Sequence, residues 1–416
     1  MPISNPELSP QEGRRYLHEL EGILGKGWVH DQVARYQALL QEWKRYPYRF
    51  WLSPSLHPLL LGLTEYREWR SDPDPRAPLP LSVKSLFEHA FYITKVLSQH
   101  VTNERSTRQY LKRRLCAEGA GDILFEIRIA ASLGLRGHQV NWLSPEDEDA
   151  PDIETMMNSV RVMVECKCQG LGAGRQISHK AFWRLVGELD RVQESRSNEY
   201  GIVIEPLARL EEGDIEQIVS RLTMLLPQVT TAAHEEFTAR KGTYTLSVRR
   251  LCGREERVPL LEAERLAKSM EPQSPGSVHL AVAISSSEAL GAQPDTPINP
   301  RFLLCKSRKP DRVIPDLMEF VADAAHRLPI DVAGIVALHI PEYVDWGRVR
   351  QRSLSLDHAV TRTLRRGNKS HVSQVIFSSE AQVNPLGPRY SGLLPTFTYR
   401  NGGATTQLPL QLTTGS

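Results

Sequence analysis

Apolar residues recur at helical spacing through the first quarter of the chain. The pattern is clearest in two segments, DQVARYQALLQEWKRY (31–46) and SVKSLFEHAFYITKVLSQHV (82–101). Near the start, Ser9 is placed to cap a helix, and Glu12 stands at the capping-box position. We therefore predict a helical N-terminal domain over residues 1–114.

From residue 118 onward, segments of helical spacing alternate with short apolar runs typical of strands. The predicted order is helix, strand, strand hairpin, helix, strand and helix, and its main segments are residues 118–137, 138–143, 160–168, 177–195, 200–207 and 213–226. Such alternation is typical of an α/β domain whose sheet is covered by helices. We place this domain at residues 115–230.

The C-terminal part continues with strands and helices. It opens with a predicted hairpin in TYTLSVRRLCGREERVPL (243–260) and runs to the strand SQVIFSS (373–379). We predict a second α/β domain over residues 231–400. Residues 401–416 are small and polar, which predicts a flexible tail.

Composition limits the class of protein. The chain has 416 residues, 40% of them hydrophobic, and a formal net charge of +2, so any basic surface for a polyanion must be local. Its N-terminus lacks the basic and apolar regions of a secretory signal, and it has no uninterrupted apolar run of about 18 residues. We expect a cytoplasmic protein without a membrane partner. Its 5 cysteines are too few for a disulfide framework.

One predicted strand, VRVMVECKC (160–168), carries opposite charges on one face. Because strand side chains alternate, Glu165 and Lys167 share a face, while Cys166 and Cys168 point to the other. A Cys-x-Cys pair suits zinc, but no companion cluster with ligand spacing lies nearby, so we interpret both cysteines as core residues.

The charged face has two interpretations. Glu165 and Lys167 alone are compatible with a cross-strand ion pair on an exposed sheet face. Asp152, however, lies on the other arm of the same predicted hairpin, where it comes beside Glu165. Two carboxylates about 4 Å apart repel by about 4 kcal/mol at an effective dielectric constant of 20, and a hard divalent cation removes that cost. Oxygen ligands favour Mg²⁺ or Mn²⁺ over zinc.

This combination of Pro151-Asp152 with Glu165-Cys166-Lys167 on the next strand resembles the signature of the PD-(D/E)xK nuclease superfamily. The resemblance implies a restriction-endonuclease-like core, in which a mixed sheet is flanked by helices. It implies that Asp152 and Glu165 bind Mg²⁺, with Mn²⁺ as a substitute, and that Lys167 assists the attacking water.

The resemblance also gives a place to Glu126, in the helix before the first strand, as a residue that holds or orients a metal ligand. Independently, its helical neighbours Ile123, Ile127 and Ala130 form a face that should point inward, where a carboxylate needs a partner. A pairing with a nearby arginine is an equally good interpretation. The resemblance further places Gln176 and Lys180, at the start of the next helix, near the scissile phosphate.

Two basic segments are candidates for contact with a nucleic-acid backbone. One lies in residues 105–114 and the other near residue 366, and the candidate side chains are Arg108, Lys112, Arg113, Arg365 and Arg366. Taken singly, each segment is better explained by a solvated helix face.

From these observations the sequence predicts a metal-dependent endonuclease that hydrolyses phosphodiesters. The superfamily that it resembles mostly cuts DNA, which favours DNA as the substrate and a role in restriction or defence against phage. One alternative is a nucleic-acid-binding or assembly module that keeps the fold without turnover. A further alternative is an RNA-directed effector nuclease that a partner activates. A homo-oligomer or a partner protein of a defence system is compatible with each alternative.

Overall fold

A computed structural model of the chain gives the fold. It describes residues 8–45, 57, 59–71, 79–99, 105–117, 120–143, 150–169, 174–193, 200–229, 232–238, 243–250, 258–259, 278–282, 297–298, 302–340, 356–379 and 396–408.

Ten α-helices lie in these described ranges. They are α1 (Pro10–Leu24), α2 (Lys26–Arg45), α3 (Leu60–Ser71), α4 (Leu81–Gln99), α5 (Arg105–Leu115), α6 (Gly121–Gly134), α7 (His179–Gln193), α8 (Glu212–Leu225), α9 (Val313–Arg327) and α10 (Leu356–Arg366). The predicted capping box is present at the start of α1, because the Glu12 N–H donates to Ser9 Oγ while the Ser9 N–H donates to the Glu12 carboxylate. Within the same ranges, every helix is too short or too polar to cross a lipid bilayer.

The strands of the described residues form two mixed sheets and one small pair. They are β1 (Val140–Trp142), β2 (Ile153–Met157), β3 (Val160–Cys168), β4 (Tyr200–Pro206), β5 (Ala232–Thr238), β6 (Thr243–Arg250), β7 (Val258–Pro259), β8 (Val278–Val282), β9 (Pro297–Ile298), β10 (Phe302–Lys306), β11 (Ala333–Ile340), β12 (Val372–Ser379) and β13 (Thr396–Arg400). The predicted α/β class is therefore confirmed.

The described residues divide into two compact units. Unit 1 comprises Met1–Ala38, Pro54–Gly170 and Ile314–Ser416, and unit 2 comprises Leu39–Ser53 and Leu171–Val313. This division differs from the consecutive segments that we expected. Most of unit 2 is an insertion within unit 1, placed between β3 and the bulk of α9, so neighbours in space come from distant parts of the sequence.

The sheet of unit 1 has the order β1-β2-β3-β11-β12-β13. Strands β1, β2 and β3 are antiparallel, whereas β11 and β12 run parallel to β3. Every residue of β11 and β12 is buried, as expected for central parallel strands. Helix α6 is also mostly buried, with Ile123, Ile127 and Ala130 in the core.

Unit 2 has its own sheet, in the order β5-β6-β4-β10-β8. Helices α7 and α8 cover it, and apolar side chains of these helices pack with the strands into one core, which includes Phe182, Leu222, Ile202 and Tyr244. The domain predicted at 115–230 grouped β3 and β4 in one α/β unit with a single sheet. In the structure they belong to different sheets, because β4 pairs with β6 and β10, and β11 pairs with β3.

Two further expectations need correction. The hairpin predicted within residues 243–260 is wrong, because β6 pairs with β5 and β4, while the short β7 pairs with β9. The tail predicted to be flexible from residue 401 is packed over its first half. Asn401 is buried, and the Thr405 N–H donates to the Ser370 carbonyl (2.8 Å). Residues 409–416 lie outside the described residues.

Candidate active site

A tight turn sets the register of the strands that carry the acids. Asn158 and Ser159 connect β2 to β3, and both have positive φ (49° and 65°), the conformation of a two-residue hairpin turn whose twist suits the strands. The turn places Ile153 opposite Val164. Asp152, one residue before β2, therefore falls beside Glu165, as the sequence predicted.

The Asp152 carboxylate is fixed to the neighbouring strand. The main-chain N–H of Cys166 donates to Asp152 Oδ2 at 2.7 Å. Asp152 is half-buried, whereas Glu165 is only 1% exposed. The hairpin thus holds two carboxylates at one place on the sheet, one of them almost fully removed from water.

Lys167 forms an ion pair with Glu165. Its Nζ lies 3.0 Å from Glu165 Oε1, a distance suited to a charge-assisted hydrogen bond. The other oxygen, Glu165 Oε2, is buried and has no hydrogen-bond partner among the described residues. A buried acceptor without a partner is costly, so this oxygen is suited to a contact with a bound ligand.

Glu126 extends from α6 into the same region. It is 8% exposed, and Arg114 Nη2 lies 3.5 Å from its Oε1. Arg114 is itself held by α5, because its Nη1 donates to the Tyr110 hydroxyl (2.6 Å). The pairing with an arginine, which we considered as an alternative to a site role, is therefore present. It lies beside the three carboxylates of Asp152, Glu165 and Glu126, which we call the acidic cluster.

The three carboxylates interact through their charges. Burial, and then the charge of Asp152, raise the pKa of Glu126 to about 8 and that of Glu165 to about 7. Burial also raises the pKa of Asp152, although the Cys166 N–H and then Lys167 oppose this. Such shifts in a cluster of acids are typical of a functional site.

Two arginines complete the charge balance of the cluster, and sequence reasoning missed both as site residues. One is Arg114, and the other is Arg327, in the last turn of α9, whose Nη1 lies 3.6 Å from Glu165 Oε1. Arg114 belongs to a basic segment that the sequence reveals, but spacing does not identify its partner. No sequence signal distinguishes Arg327. Three cations from three elements thus face three carboxylates.

Gln169 is a further polar residue that the sequence did not single out. It directly follows β3, and its N–H donates to the His339 carbonyl (2.8 Å), so the extended pairing with β11 continues to this residue. Alternation along an extended chain puts Gln169 on the same side as Glu165 and Lys167. It is buried, and its Nε2 has no hydrogen-bond partner among the described residues.

The oxygen donors of the described site suit a hard divalent ion such as Mg²⁺ or Mn²⁺ better than zinc. Within the described ranges, no group of three or more His, Cys, Asp or Glu side chains is arranged to hold a metal. Mg²⁺ is commonly held by one or two carboxylates, with water and substrate phosphate completing its coordination. Asp152 and Glu165 supply two carboxylates, and Glu165 Oε2 is without a partner among the described residues. An all-oxygen donor set of this size suits Mg²⁺ or Mn²⁺.

The cysteines next to these acids take no part in the charged face. Cys166 is buried, which raises the pKa of its thiol well above the usual value, and Cys168 is half-buried. All four cysteines of the described residues are free thiols. These observations agree with the interpretation of Cys166 as a core residue.

A buried histidine lies on the opposite side of the sheet from Glu165. His339 of β11 pairs in register with Cys168, and its ring stacks on Phe125 of α6 with the ring centroids 4.9 Å apart. Its Nδ1 lies 3.4 Å from Ser378 Oγ. Burial, and then the charge of Arg128, lower the pKa of His339 to about 3, so this histidine is neutral.

The remaining predicted residues are dispersed. Lys112 and Arg113 are exposed on α5, and Arg365 and Arg366 are exposed at the end of α10, all in unit 1. The side chain of Arg108 lies outside the described part of the chain.

Gln176 and Lys180 belong to unit 2 rather than to the unit that carries the carboxylates. Gln176 is already bonded within unit 2, because its N–H donates to Asp311 Oδ1 (2.8 Å) and its Nε2 to the Pro310 carbonyl (3.2 Å). These bonds give Gln176 a structural role in its loop.

Comparison with known proteins adds no relative to this picture. No protein-family model, no curated protein and no solved structure matches the chain.

Proposed function

We propose that this chain is a metal-dependent endonuclease of the PD-(D/E)xK kind, which hydrolyses phosphodiester bonds in DNA. The observation that carries the proposal is the arrangement of Asp152, Glu165 and Lys167. A hairpin brings the two acids together, the lysine is 3.0 Å from Glu165, and one Glu165 oxygen is buried without a partner among the described residues.

The fold of unit 1 supports the same proposal. Helix α6, the antiparallel strands β1 to β3, helix α9 and the parallel strand β11 follow one another, apart from the inserted unit 2. A mixed sheet with helices before and after its acidic hairpin agrees with the restriction-endonuclease-like core that the sequence resembles. Glu165 and Lys167 lie on β3, a central strand of this sheet, where side chains are held rigidly, and Asp152 directly precedes β2.

Asp152 and Glu165 would hold the metal ion, and Glu126 would hold or orient a further ligand. When bound, Mg²⁺ would polarise a phosphoryl oxygen and lower the pKa of a coordinated water. Burial of Glu165 keeps bulk water away from this carboxylate.

Lys167 has the reach and charge to act on the reacting groups. Its ammonium group can donate a hydrogen bond that orients the attacking water, and it can stabilise negative charge that develops on the phosphoryl oxygens. In the reaction, the water oxygen forms a bond to phosphorus while the bond from phosphorus to the leaving oxygen breaks. The water loses a proton to solvent, and the leaving oxygen gains one.

DNA is the proposed substrate because most of the superfamily that the sequence resembles cuts DNA. The exposed side chains of Lys112 and Arg113 in α5 are suited to backbone phosphates, since α5 also carries Arg114 to Glu126. The proposal includes a cytoplasmic role in restriction or defence against phage.

One observation favours a second function. Lys167 and Arg327 already pair with Glu165, and Arg114 pairs with Glu126, so the cluster is neutralised by its own side chains. A module that binds nucleic acid without cutting it would keep such internal pairs. This alternative differs from the first in its response to metal, because it requires none.

Cleavage of a labelled DNA duplex with Mg²⁺, Mn²⁺ or a chelator tests the proposal. The comparison uses the wild type, Lys167→Met and Glu154→Gln. Glu154 is a matched control, because it lies in β2 beside the site acids and pairs with Arg161, outside the cluster. We expect metal-dependent cleavage that falls by about 100-fold in Lys167→Met and by less than about twofold in Glu154→Gln. Metal-independent DNA binding without cleavage by the wild type would support the binding module instead.

A further inference from the structure

Arg327 is the most exposed cation of the acidic cluster. Its side chain is 41% exposed, whereas that of Lys167 is 20% and that of Glu165 is 1% exposed. Arg327 belongs to the last turn of α9, an element that reaches the cluster from a different part of the chain. The buried carboxylate of Glu165 is therefore paired with a well-exposed cation.

Two cations share a single oxygen of this carboxylate. Lys167 Nζ is at hydrogen-bond distance from Glu165 Oε1 (3.0 Å), whereas Arg327 Nη1 is at 3.6 Å, beyond a normal hydrogen bond. An ion pair of this length with a well-exposed guanidinium contributes little to stability. The weaker and more exposed partner of Glu165 is the one that another anion can attract away.

Binding of a divalent ion by Glu165 would change the electrostatic attraction between Glu165 and Arg327. A bound ion would add two positive charges beside the guanidinium and would neutralise the carboxylate, which would weaken the attraction between Arg327 and Glu165. A phosphodiester is an anion, and the planar guanidinium matches two phosphate oxygens better than any other side chain.

We propose that Arg327 binds the phosphate that is cleaved, exchanging its contact with Glu165 in the free protein for a non-bridging phosphate oxygen in the complex. This inference rests on the proposed nuclease function and adds a substrate-binding residue to it. Because negative charge on those oxygens increases during the attack, the contact strengthens in the transition state. Arg327 is then a catalytic residue that contributes to kcat more than to substrate affinity.

A purely structural role makes a different set of predictions. A cation in the last turn of a helix interacts favourably with the helix dipole, and Arg70 occupies such a position in α3 of the same unit. If Arg327 serves only that purpose, its removal lowers the melting temperature and leaves cleavage intact. Arg70→Gln is therefore the matched control, since it removes a last-turn arginine far from the catalytic machinery in sequence.

The test compares wild type, Arg327→Gln, Arg327→Lys and Arg70→Gln as full-length proteins. Single-turnover cleavage of a labelled duplex at saturating Mn²⁺ gives the rate, and the electron paramagnetic resonance signal of free Mn²⁺ gives metal affinity. We expect Arg327→Gln to lose about 100-fold in rate, with unchanged or tighter Mn²⁺ binding. Arg327→Lys keeps the charge without the planar fork, so we expect partial recovery, and it serves if Arg327→Gln does not fold.

The outcomes separate the two proposals. Wild-type cleavage together with Arg327→Gln cleavage within about twofold of wild type overturns this inference and leaves the nuclease function standing. Parallel loss of Mn²⁺ binding and cleavage in Arg327→Gln also overturns it, because Arg327 would then support the metal site. Absence of metal-dependent cleavage by the wild type overturns the proposed function and this inference together.

Discussion

The main-chain N–H of Cys166 donates a hydrogen bond to the carboxylate of Asp152, so the first acid of the cluster is attached to the strand that carries the second. Cys166 lies between Glu165 and Lys167, and its own side chain points away from them. The separation between the acids is therefore fixed by backbone geometry rather than by flexible side chains alone.

The first prediction concerns Asp152→Asn. The amide oxygen of asparagine can still accept from the Cys166 N–H, so we expect the hairpin to survive with a melting temperature within about 3 °C of wild type. The substitution removes one metal-binding charge, and we expect the Mn²⁺ dissociation constant to rise at least about 10-fold. Titration of Mn²⁺ followed by thermal shift measures both. Glu154→Gln is the control, and equal Mn²⁺ stabilisation in all three proteins would contradict the assignment.

The second prediction concerns Glu165→Gln in the metal-free protein. The pKa of Glu165 is raised to about 7, so the folded state favours the protonated acid and wild-type stability falls as pH rises from about 4.5 through about 7. Glutamine resembles the protonated acid at every pH. We expect the variant to match wild type near pH 5 and to exceed its free energy of unfolding by on the order of 2 kcal/mol near pH 8.

Urea unfolding at both pH values measures this difference, with chelator present. The same variant should lose cleavage at saturating metal. A variant that is less stable than wild type at the higher pH would mean that Lys167 and Arg327 outweigh the burial of the charge.

The third prediction concerns the buried amide of Gln169. Its Nε2 has no hydrogen-bond partner among the described residues, so replacement by an apolar side chain of similar size removes the free-energy cost of burying this donor. We expect Gln169→Leu to leave the melting temperature unchanged or to raise it by about 2 °C. Because Gln169 lies on the same side of the sheet as Glu165 and Lys167, we expect the cleavage rate to fall by about 10-fold or more. Calorimetry and the duplex cleavage assay measure the two effects. A less stable variant with full cleavage would give Gln169 a structural role only.

The fourth prediction concerns acid sensitivity. His339 is neutral in the folded state, with its pKa lowered to about 3, whereas an unfolded histidine titrates near 6.5. The unfolded state therefore binds more protons between these values, and stability is lost as pH falls below about 6.5. His339→Phe keeps the stacking on Phe125 and removes the titration.

We expect His339→Phe to reduce the loss of unfolding free energy between about pH 7 and pH 5 by about 1–2 kcal/mol. Equilibrium unfolding at the two pH values measures this loss. His18→Gln, at an exposed position of α1, should leave the loss unchanged. An unaltered pH dependence in His339→Phe would assign the acid sensitivity to other groups.

The fifth prediction concerns Gly174, near the start of the inserted part of unit 2. Its φ is +73°, and a Cβ there would lie 2.7 Å from Val313 Cα, so alanine meets both strain and a backbone clash. We expect Gly174→Ala to destabilise the protein by about 2 kcal/mol or more. Thermal unfolding measures the effect. Gly213→Ala in α8 is the control, because its Cβ would meet nothing within 4 Å and helix propensity favours alanine.

The sequence predicts those parts of the site that depend on local geometry. Strand alternation places Glu165 with Lys167, and a two-residue turn brings Asp152 beside them, because both relationships lie within one hairpin. Periodicity likewise predicts the inward face of α6 that carries Glu126.

Relationships between distant segments are not encoded in such patterns. Strand β11 pairs with β3 across the whole of unit 2, and β4, which is nearer in sequence, joins a different sheet. Arg327 reaches Glu165 only because this long-range pairing brings the end of α9 to β3. Apolar periodicity predicts the type of each element but not which elements lie beside it. Nothing in the sequence pattern therefore indicates that Arg327 lies near Glu165.

The two ends of the inserted segment lie close together. The carbonyl of Gly174 accepts a hydrogen bond from the Arg312 N–H (2.6 Å), so the segment between these residues begins and ends at neighbouring positions. A change of sequence between residues 175 and 311 can therefore leave both ends of the surrounding framework in place.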